Sequence, residues 1–173
     1  VVVSILNVLD LESLQKWLPT DNVGYVNVFP ENRGISVNHL WKNKERHILN
    51  NKIVDKGKLH KGLDPNNAES YEIYNQNDYG PTLMHNEALS FLDRNRDNNF
   101  FLYYASPLPH LPLQAPEEWV NYYREKFGKE EPYLGDAGYY PNLSPKATYA
   151  AMISYLDQQV GEIVEKLKEI GQY

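Results

Sequence analysis

The run Phe100-Phe101-Leu102-Tyr103-Tyr104-Ala105 constrains this chain more than any other feature. It is continuously apolar, bounded by the polar stretch 93–99 and by Pro107 and Pro109. A strand that is apolar without alternation is one covered on both faces, as in the middle of an α/β sheet. The prolines end it, because a proline has no amide proton to give to a ladder. Before it, Leu83, Met84, Glu87, Ala88, Phe91 and Leu92 fall at helical spacing. After it, Pro116, Glu117 and Glu118 open a second helix, with proline suited to the first position and the acids to the positive end. Ser144-Pro145 is a good cap and first-turn pair for a third helix. That helix carries Ile153, Leu156, Val160, Ile163, Val164, Leu167 and Ile170 on one face. Gly161 inside it costs roughly 1 kcal/mol against alanine unless it lets another segment come close. The helix–strand–helix–helix order predicts an α/β architecture with a buried strand at 100–105 flanked by helices.

The first 80 residues are less regular. Residues 1–8 are β-branched and read as a strand, and Asp10 can cap a short helix through Leu11, Leu14, Trp17 and Leu18. Val23 to Val28 alternates and is a further strand candidate. Residues 1–30 are set apart as an N-terminal segment with no further placement. Residues 29–80 read as long loops with short strands near Leu40–Trp41 and His47–Leu49. So long an irregular stretch is uncommon inside a compact domain and either carries function or lacks its packing partner.

Composition narrows the class. The chain has 173 residues, 17 Lys plus Arg against 23 Asp plus Glu, and a net charge of −6. That length can bury roughly two-thirds of the unfolded surface, enough for a core. An acidic balance argues against a nucleic-acid backbone as partner. No apolar run approaches the ~18 residues of a membrane span. The opening residues have no basic stretch and too short an apolar one for a signal peptide. There is no initiator Met, so the chain is expected to be part of something longer. With no cysteine it offers neither a disulfide nor a thiolate nucleophile or ligand. Its 18 Asn fall mostly in loop-like stretches, and its 14 Tyr suit carbohydrate or aryl ligands, or simply a tyrosine-rich core and surface.

The best place for chemistry is the turn Ser106-Pro107-Leu108-Pro109-His110-Leu111-Pro112. Ligands of α/β sheets bind beyond the carboxyl ends of strands. Prolines on both sides restrict where the His110 ring can go. An imidazole there can hydrogen-bond an anionic oxygen or move a proton near neutral pH. The plainer alternative is a histidine bonded to a loop carbonyl. Gly57-Lys58-Leu59-His60-Lys61-Gly62 has the look of an anion cradle but no strand before it, and reads better as a solvated basic loop. His39 and His47 lack metal-ligand spacing, and Glu117 and Glu118 point about 100° apart on a helix. No P-loop, Gly-x-Ser-x-Gly or paired His at i, i+4 is present.

Several segments, taken in order, resemble the formylglycine-dependent sulfatases, in the arylsulfatase and N-acetylgalactosamine-6-sulfatase group. They are Leu40-Trp41-Lys42-Asn43; Asp78-Tyr79 with the helix through Glu87-Ala88-Leu89; Phe100 to Ser106 followed by Pro107-Leu108-Pro109-His110 and Leu113-Gln114-Ala115-Pro116-Glu117; and Tyr149 to Ile153 with Leu156-Asp157 and Val160-Gly161. The resemblance implies that residues 31–173 are the central portion of an alkaline-phosphatase-like sulfatase domain. It implies hydrolysis of aryl or sugar sulfate esters, a formylglycine nucleophile, a calcium ion, and a secreted or periplasmic location. It implies that His110 contacts the sulfate and the bridging ester oxygen, with Gln114 as a second substrate contact. The departures are equally specific. There is no Cys or Ser in a Cys/Ser-x-Pro-x-Arg motif, no early Asp pair, and no Asp-Asn-Gly after the last helix. Formylglycine and the calcium ligands are therefore expected outside this chain, which by itself is expected to be inactive and, with strand edges unpaired, to self-associate. Two other readings fit the same residues. One is a non-catalytic glycan-binding module on this scaffold. The other is a related metal-dependent phosphoesterase.

Overall fold

The computed structural model of the protein describes residues 2–4, 39–42, 45–52, 54, 57–75 and 77–173. The short helix expected behind Asp10 and the strand expected at Val23–Val28 lie outside these residues. Four strands and three α-helices are described: β1 (Val2–Ser4), β2 (His39–Lys42), β3 (Glu45–Ile48), α1 (Gly80–Arg94), β4 (Phe101–Tyr103), α2 (Glu117–Phe127) and α3 (Pro145–Glu169). A 3-10 helix, Ala68–Tyr74, interrupts the stretch read as loop. Asn67 caps it, its side chain accepting from the Glu69 amide at 3.1 Å.

β1 pairs parallel with β4, Val3 opposite Leu102. β2 and β3, where two short strands are expected, pair antiparallel as a hairpin, Leu40 opposite His47. The apolar stripe of α1 buries Met84, Ala88, Phe91 and Leu92. Leu40 and Leu49 from the hairpin close on Met84, Phe91 and Leu92, and Phe100, Leu102, Tyr104, Ile163 and Leu167 pack around them. Strand β4 thus lies where the apolar run predicts, flanked by helices, but its burial is one-sided. Leu102 faces the core, whereas Phe101 and Tyr103 are 58% and 51% exposed. The reason is the two-residue period of a strand: α1 and α3 cover one face, and alternate residues point to the other.

The helix ends follow local chemistry with two departures. α2 has Glu117 and Glu118 in its first turn and stops at Gly128, whose φ of 71° suits a residue without a β-carbon. Pro116 stands at its N-cap, one place before the expected first turn. α3 starts after Ser144, but the Ser144 side chain makes no capping bond. Instead Glu130 reaches over from the loop before the helix. Its carboxylate accepts from the Lys146 amide at 2.8 Å and the Ala147 amide at 3.0 Å. A carboxylate satisfies two orphan amides at once and also sits at the positive end of the helix dipole. The Ser144 hydroxyl is left to accept from Arg124 Nε at 3.2 Å.

Candidate functional site

Beyond β4 the chain passes through 104–107 into the turn that carries His110. The Leu108–Pro109 and Leu111–Pro112 peptide bonds are cis. Leu108 is buried and packs with Met152 and Tyr155 of α3. Its amide donates to Ser106 Oγ at 3.2 Å, and the His110 amide donates to the Pro107 carbonyl at 2.9 Å. The backbone leading into His110 is therefore held, while the residue itself is exposed. His110 Nδ1 lies 2.7 Å from the Leu111 carbonyl oxygen. A carbonyl only accepts, so Nδ1 carries the hydrogen. Nε2 is then the nitrogen at which a proton is gained or lost. The bond to a loop carbonyl, which belongs to the plainer of the two readings of His110, is present in the turn after β4.

The loop is tied down again after His110. Gln114 donates its side-chain amide to the Tyr74 carbonyl at 2.9 Å. The Gln114 carbonyl accepts from the Tyr79 hydroxyl at 2.6 Å. Burial, with Tyr155 nearby, pushes the Tyr79 phenol well above its ordinary range, so that hydroxyl stays a donor. Asn142 holds the preceding residue: its Nδ2 donates to the Leu113 carbonyl at 3.1 Å. Its Oδ1 accepts from the Ser144 amide at 2.9 Å and from Thr148 Oγ1 at 3.1 Å. Its backbone amide and carbonyl both pair with Tyr133 at 2.8 Å. His110 and Gln114 thus share one loop. Tyr79 and Asn142, which hold that loop, escape sequence reasoning. Pro141-Asn142-Leu143-Ser144 does suggest a turn in which Asn bonds the amide two residues on. Nothing local announces the bond to Leu113.

The weaker motifs resolve differently. In the 57–62 loop, Lys58 pairs with Asp136 at 2.7 Å, and the Leu59 amide donates to the Leu134 carbonyl at 2.9 Å. Gly135 has a φ of +88°, and a β-carbon there would overlap the Gly57 carbonyl. That segment is a clasp between two loops rather than an anion cradle. His39 and His47 are not register partners, so they point to opposite faces of the hairpin. His39 Nδ1 accepts from Arg46 at 3.2 Å, and burial together with that cation holds its pKa down. Glu117 pairs with Arg124 at 2.6 Å and serves its helix. Tyr140 is buried beside Tyr71, Tyr74 and Val54 and donates to the Val54 carbonyl at 2.9 Å.

Two further features lie between or along the helices. His85 of α1 is buried, its Nε2 2.6 Å from the Glu162 carboxylate of α3. Hydrogen bonding from Gln158 lowers the Glu162 pKa, burial opposes that, and His85 adds to the lowering. Near it Tyr104 donates to Gln159 at 3.0 Å, and Thr82 Oγ1 lies 2.7 Å from the Tyr155 hydroxyl. These pairs make a polar seam that sets how α1 meets α3. A shallow groove of about 580 Å³ runs along α3, lined by Leu89, Gln158, Gly161, Glu162, Glu165, Lys166 and Glu169. None of these belongs to the His110 turn. Among the described residues no three His, Cys, Asp or Glu come together as a metal site. No described helix is long and apolar enough to cross a membrane.

Comparison with known proteins places this arrangement. The sulfatase family model matches residues 27–173. The chain therefore belongs to the sulfatase family, and its helices around a small sheet are an α/β arrangement consistent with the alkaline-phosphatase-like fold. An uncharacterized sulfatase of Schizosaccharomyces pombe is 27% identical over 114 residues, covering 46% of this chain and 21% of its own length. A solved structure, that of Ps i-CgsB, is 30% identical, with a TM-score of 0.42, over 57% of this chain and 21% of the other. The chain thus spans about a fifth of the length of each of these relatives.

Proposed function

We propose that this chain is the central part of a sulfuric ester hydrolase and supplies His110 to its active site. The carrying observation is an exposed imidazole, held at the end of β4 by a braced turn, inside the stretch matched by the sulfatase family. With the Nδ1 hydrogen directed at the Leu111 carbonyl, Nε2 is the His110 atom proposed to act on substrate. Protonated, Nε2 donates to the sulfate and to the bridging ester oxygen, and it can pass that proton to the departing alcohol. Gln114, whose amide nitrogen is taken by Tyr74, is proposed to meet substrate through its side-chain oxygen.

The proposed substrates are aryl or sugar sulfates, in the manner of the arylsulfatase and N-acetylgalactosamine-6-sulfatase group. The residues described here do not fit a calcium site, and the chain has no cysteine to become formylglycine. Both groups are proposed to belong to parts of the protein outside this chain. The 173-residue chain alone is then inactive and prone to self-associate, and the intact protein works in a secreted or periplasmic setting. The test is turnover of a chromogenic aryl sulfate, with calcium present, by the intact protein and its His110→Ala variant. Loss of a general acid is expected to cost about 10²–10⁴-fold in kcat. Unchanged turnover in the variant removes the role given to His110.

A further inference from the structure

We propose that Asn142 is a positioning residue for His110, acting through the carbonyl of Leu113. The inference rests on the sulfatase reading and goes beyond it, to a residue far from His110 in sequence. The segment from Leu108 to Gln114 is fixed at two ends, and His110 stands between them. The first end is Leu108, packed on Met152 and Tyr155 of α3. The second is Leu113, whose carbonyl accepts from Asn142 Nδ2. Asn142 in turn is joined to the start of the same helix, through the Ser144 amide and Thr148 Oγ1.

Both ends of the His110 segment are thereby referred to one rigid body, α3. The geometry is demanding, because each polar group of Asn142 is used. Oδ1 accepts from the Ser144 amide and shares the single Thr148 hydroxyl hydrogen with the Ser144 carbonyl. Nδ2 donates to Leu113, and the backbone amide and carbonyl pair with Tyr133. An amide is the side chain that can accept toward the helix and donate toward the loop at the same time. Displacing the Leu113 end shifts where the His110 ring meets its substrate. A displacement of about 1 Å in a reacting group can cost roughly a hundredfold in rate.

The test uses the intact protein and Asn142→Asp. Aspartate keeps the oxygen that accepts from Ser144 and Thr148 and places a carboxylate near the positive end of α3. It loses the donor to Leu113 and sets oxygen against oxygen. The expected result on a chromogenic aryl sulfate is a kcat lowered about 10- to 100-fold, with KM within about threefold and no fall in the thermal midpoint. In a His110→Ala background the same change is expected to cost little further, because the two act as a unit. Thr148→Val, which removes one of the two bonds that join Asn142 to α3 and keeps the donor to Leu113, is expected to give a clearly smaller loss than Asn142→Asp.

Asn142→Ser keeps a short acceptor for the Ser144 amide but cannot span to Leu113. It replaces the aspartate variant, with the same expectation, should that one not fold. An unchanged kcat in a folded Asn142 variant overturns the proposal. So does an equal loss with and without His110, or an equal loss in Thr148→Val. A wild-type protein silent on the sulfate ester overturns the sulfatase reading and this inference with it. A fully active His110→Ala removes the role given to His110, and with it this inference, but leaves the sulfatase reading standing.

Discussion

The core beneath α1 and the shell around His110 are built on different principles. The core is aliphatic and aromatic: Leu40, Leu49, Met84, Phe91 and Leu92 meet from a hairpin and a helix, with β4 and α3 packed around them. Its stability comes from apolar area removed from water, which has no preferred direction. The shell is held by single hydrogen bonds from side chains to backbone carbonyls: Tyr79 to Gln114, Gln114 to Tyr74, Asn142 to Leu113. Each is directional and contributes a net of about 1 kcal/mol. The core can therefore absorb small shifts, whereas the shell fixes position at modest energy. The placement of His110 depends on the second kind of construction, and the integrity of the fold on the first.

That contrast can be sharpened by separating stability from rate. The largest stability effect is expected from Leu92→Ala, since Leu92 is fully buried. Chemical denaturation of the intact protein is expected to show a loss of about 2–5 kcal/mol. At temperatures where the variant remains folded, kcat is expected to stay close to wild type, the reverse of the His110-loop variants. If Leu92→Ala lowers kcat as much as Asn142→Asp does, the two regions are not separable in this way.

A smaller effect is expected at the junction of the two regions, where Glu130 caps α3. Glu130→Ala removes a carboxylate serving two amides. It is expected to cost about 0.5–2 kcal/mol, read as a lower denaturation midpoint. Glu130→Gln keeps one acceptor oxygen in place of two and is expected to recover part of the loss, the remainder being the second bond together with the charge. The smallest effect has the opposite sign. A β-carbon at Gly161 meets nothing within 4 Å. Gly161→Ala is expected to raise the midpoint, with a gain of up to about 1 kcal/mol. A loss there instead marks a close approach to α3 by another part of the protein.

Much of the first region is legible along the chain. The spacing of Met84, Ala88, Phe91 and Leu92 predicts α1 and its buried face, and the apolar run through Phe101–Tyr103 predicts β4. Periodicity reports a face because successive residues turn by a fixed angle about the element. It does not report what lies against that face, so the one-sided covering of β4 is not visible in the run itself. The His110 turn is legible in part: prolines after a strand locate it. Its braces are not, because Asn142 lies 29 residues beyond Leu113 and Tyr79 lies 35 before Gln114. The Ser144-Pro145 pair marks where α3 begins, yet the capping comes from Glu130, beyond the reach of a local rule.

By itself the sequence determined the helices, the strand between them, the turn with His110 at its end, and the set of motifs that resembles the sulfatases. Those depend on residue type and short-range spacing, which the chain carries in its own order. Only the tertiary structure decided which face of β4 is covered and which His110 nitrogen carries the hydrogen. It also decided that Tyr79 and Asn142 hold the loop, and that Lys58 answers Asp136 instead of an anion. The ties from Tyr79 and Asn142 and the pair of Lys58 with Asp136 join groups far apart in the chain, and the covering of β4 is packing by α1 and α3. Even the bond from His110 to the adjacent Leu111 carbonyl needs the turn that forms when these parts come together.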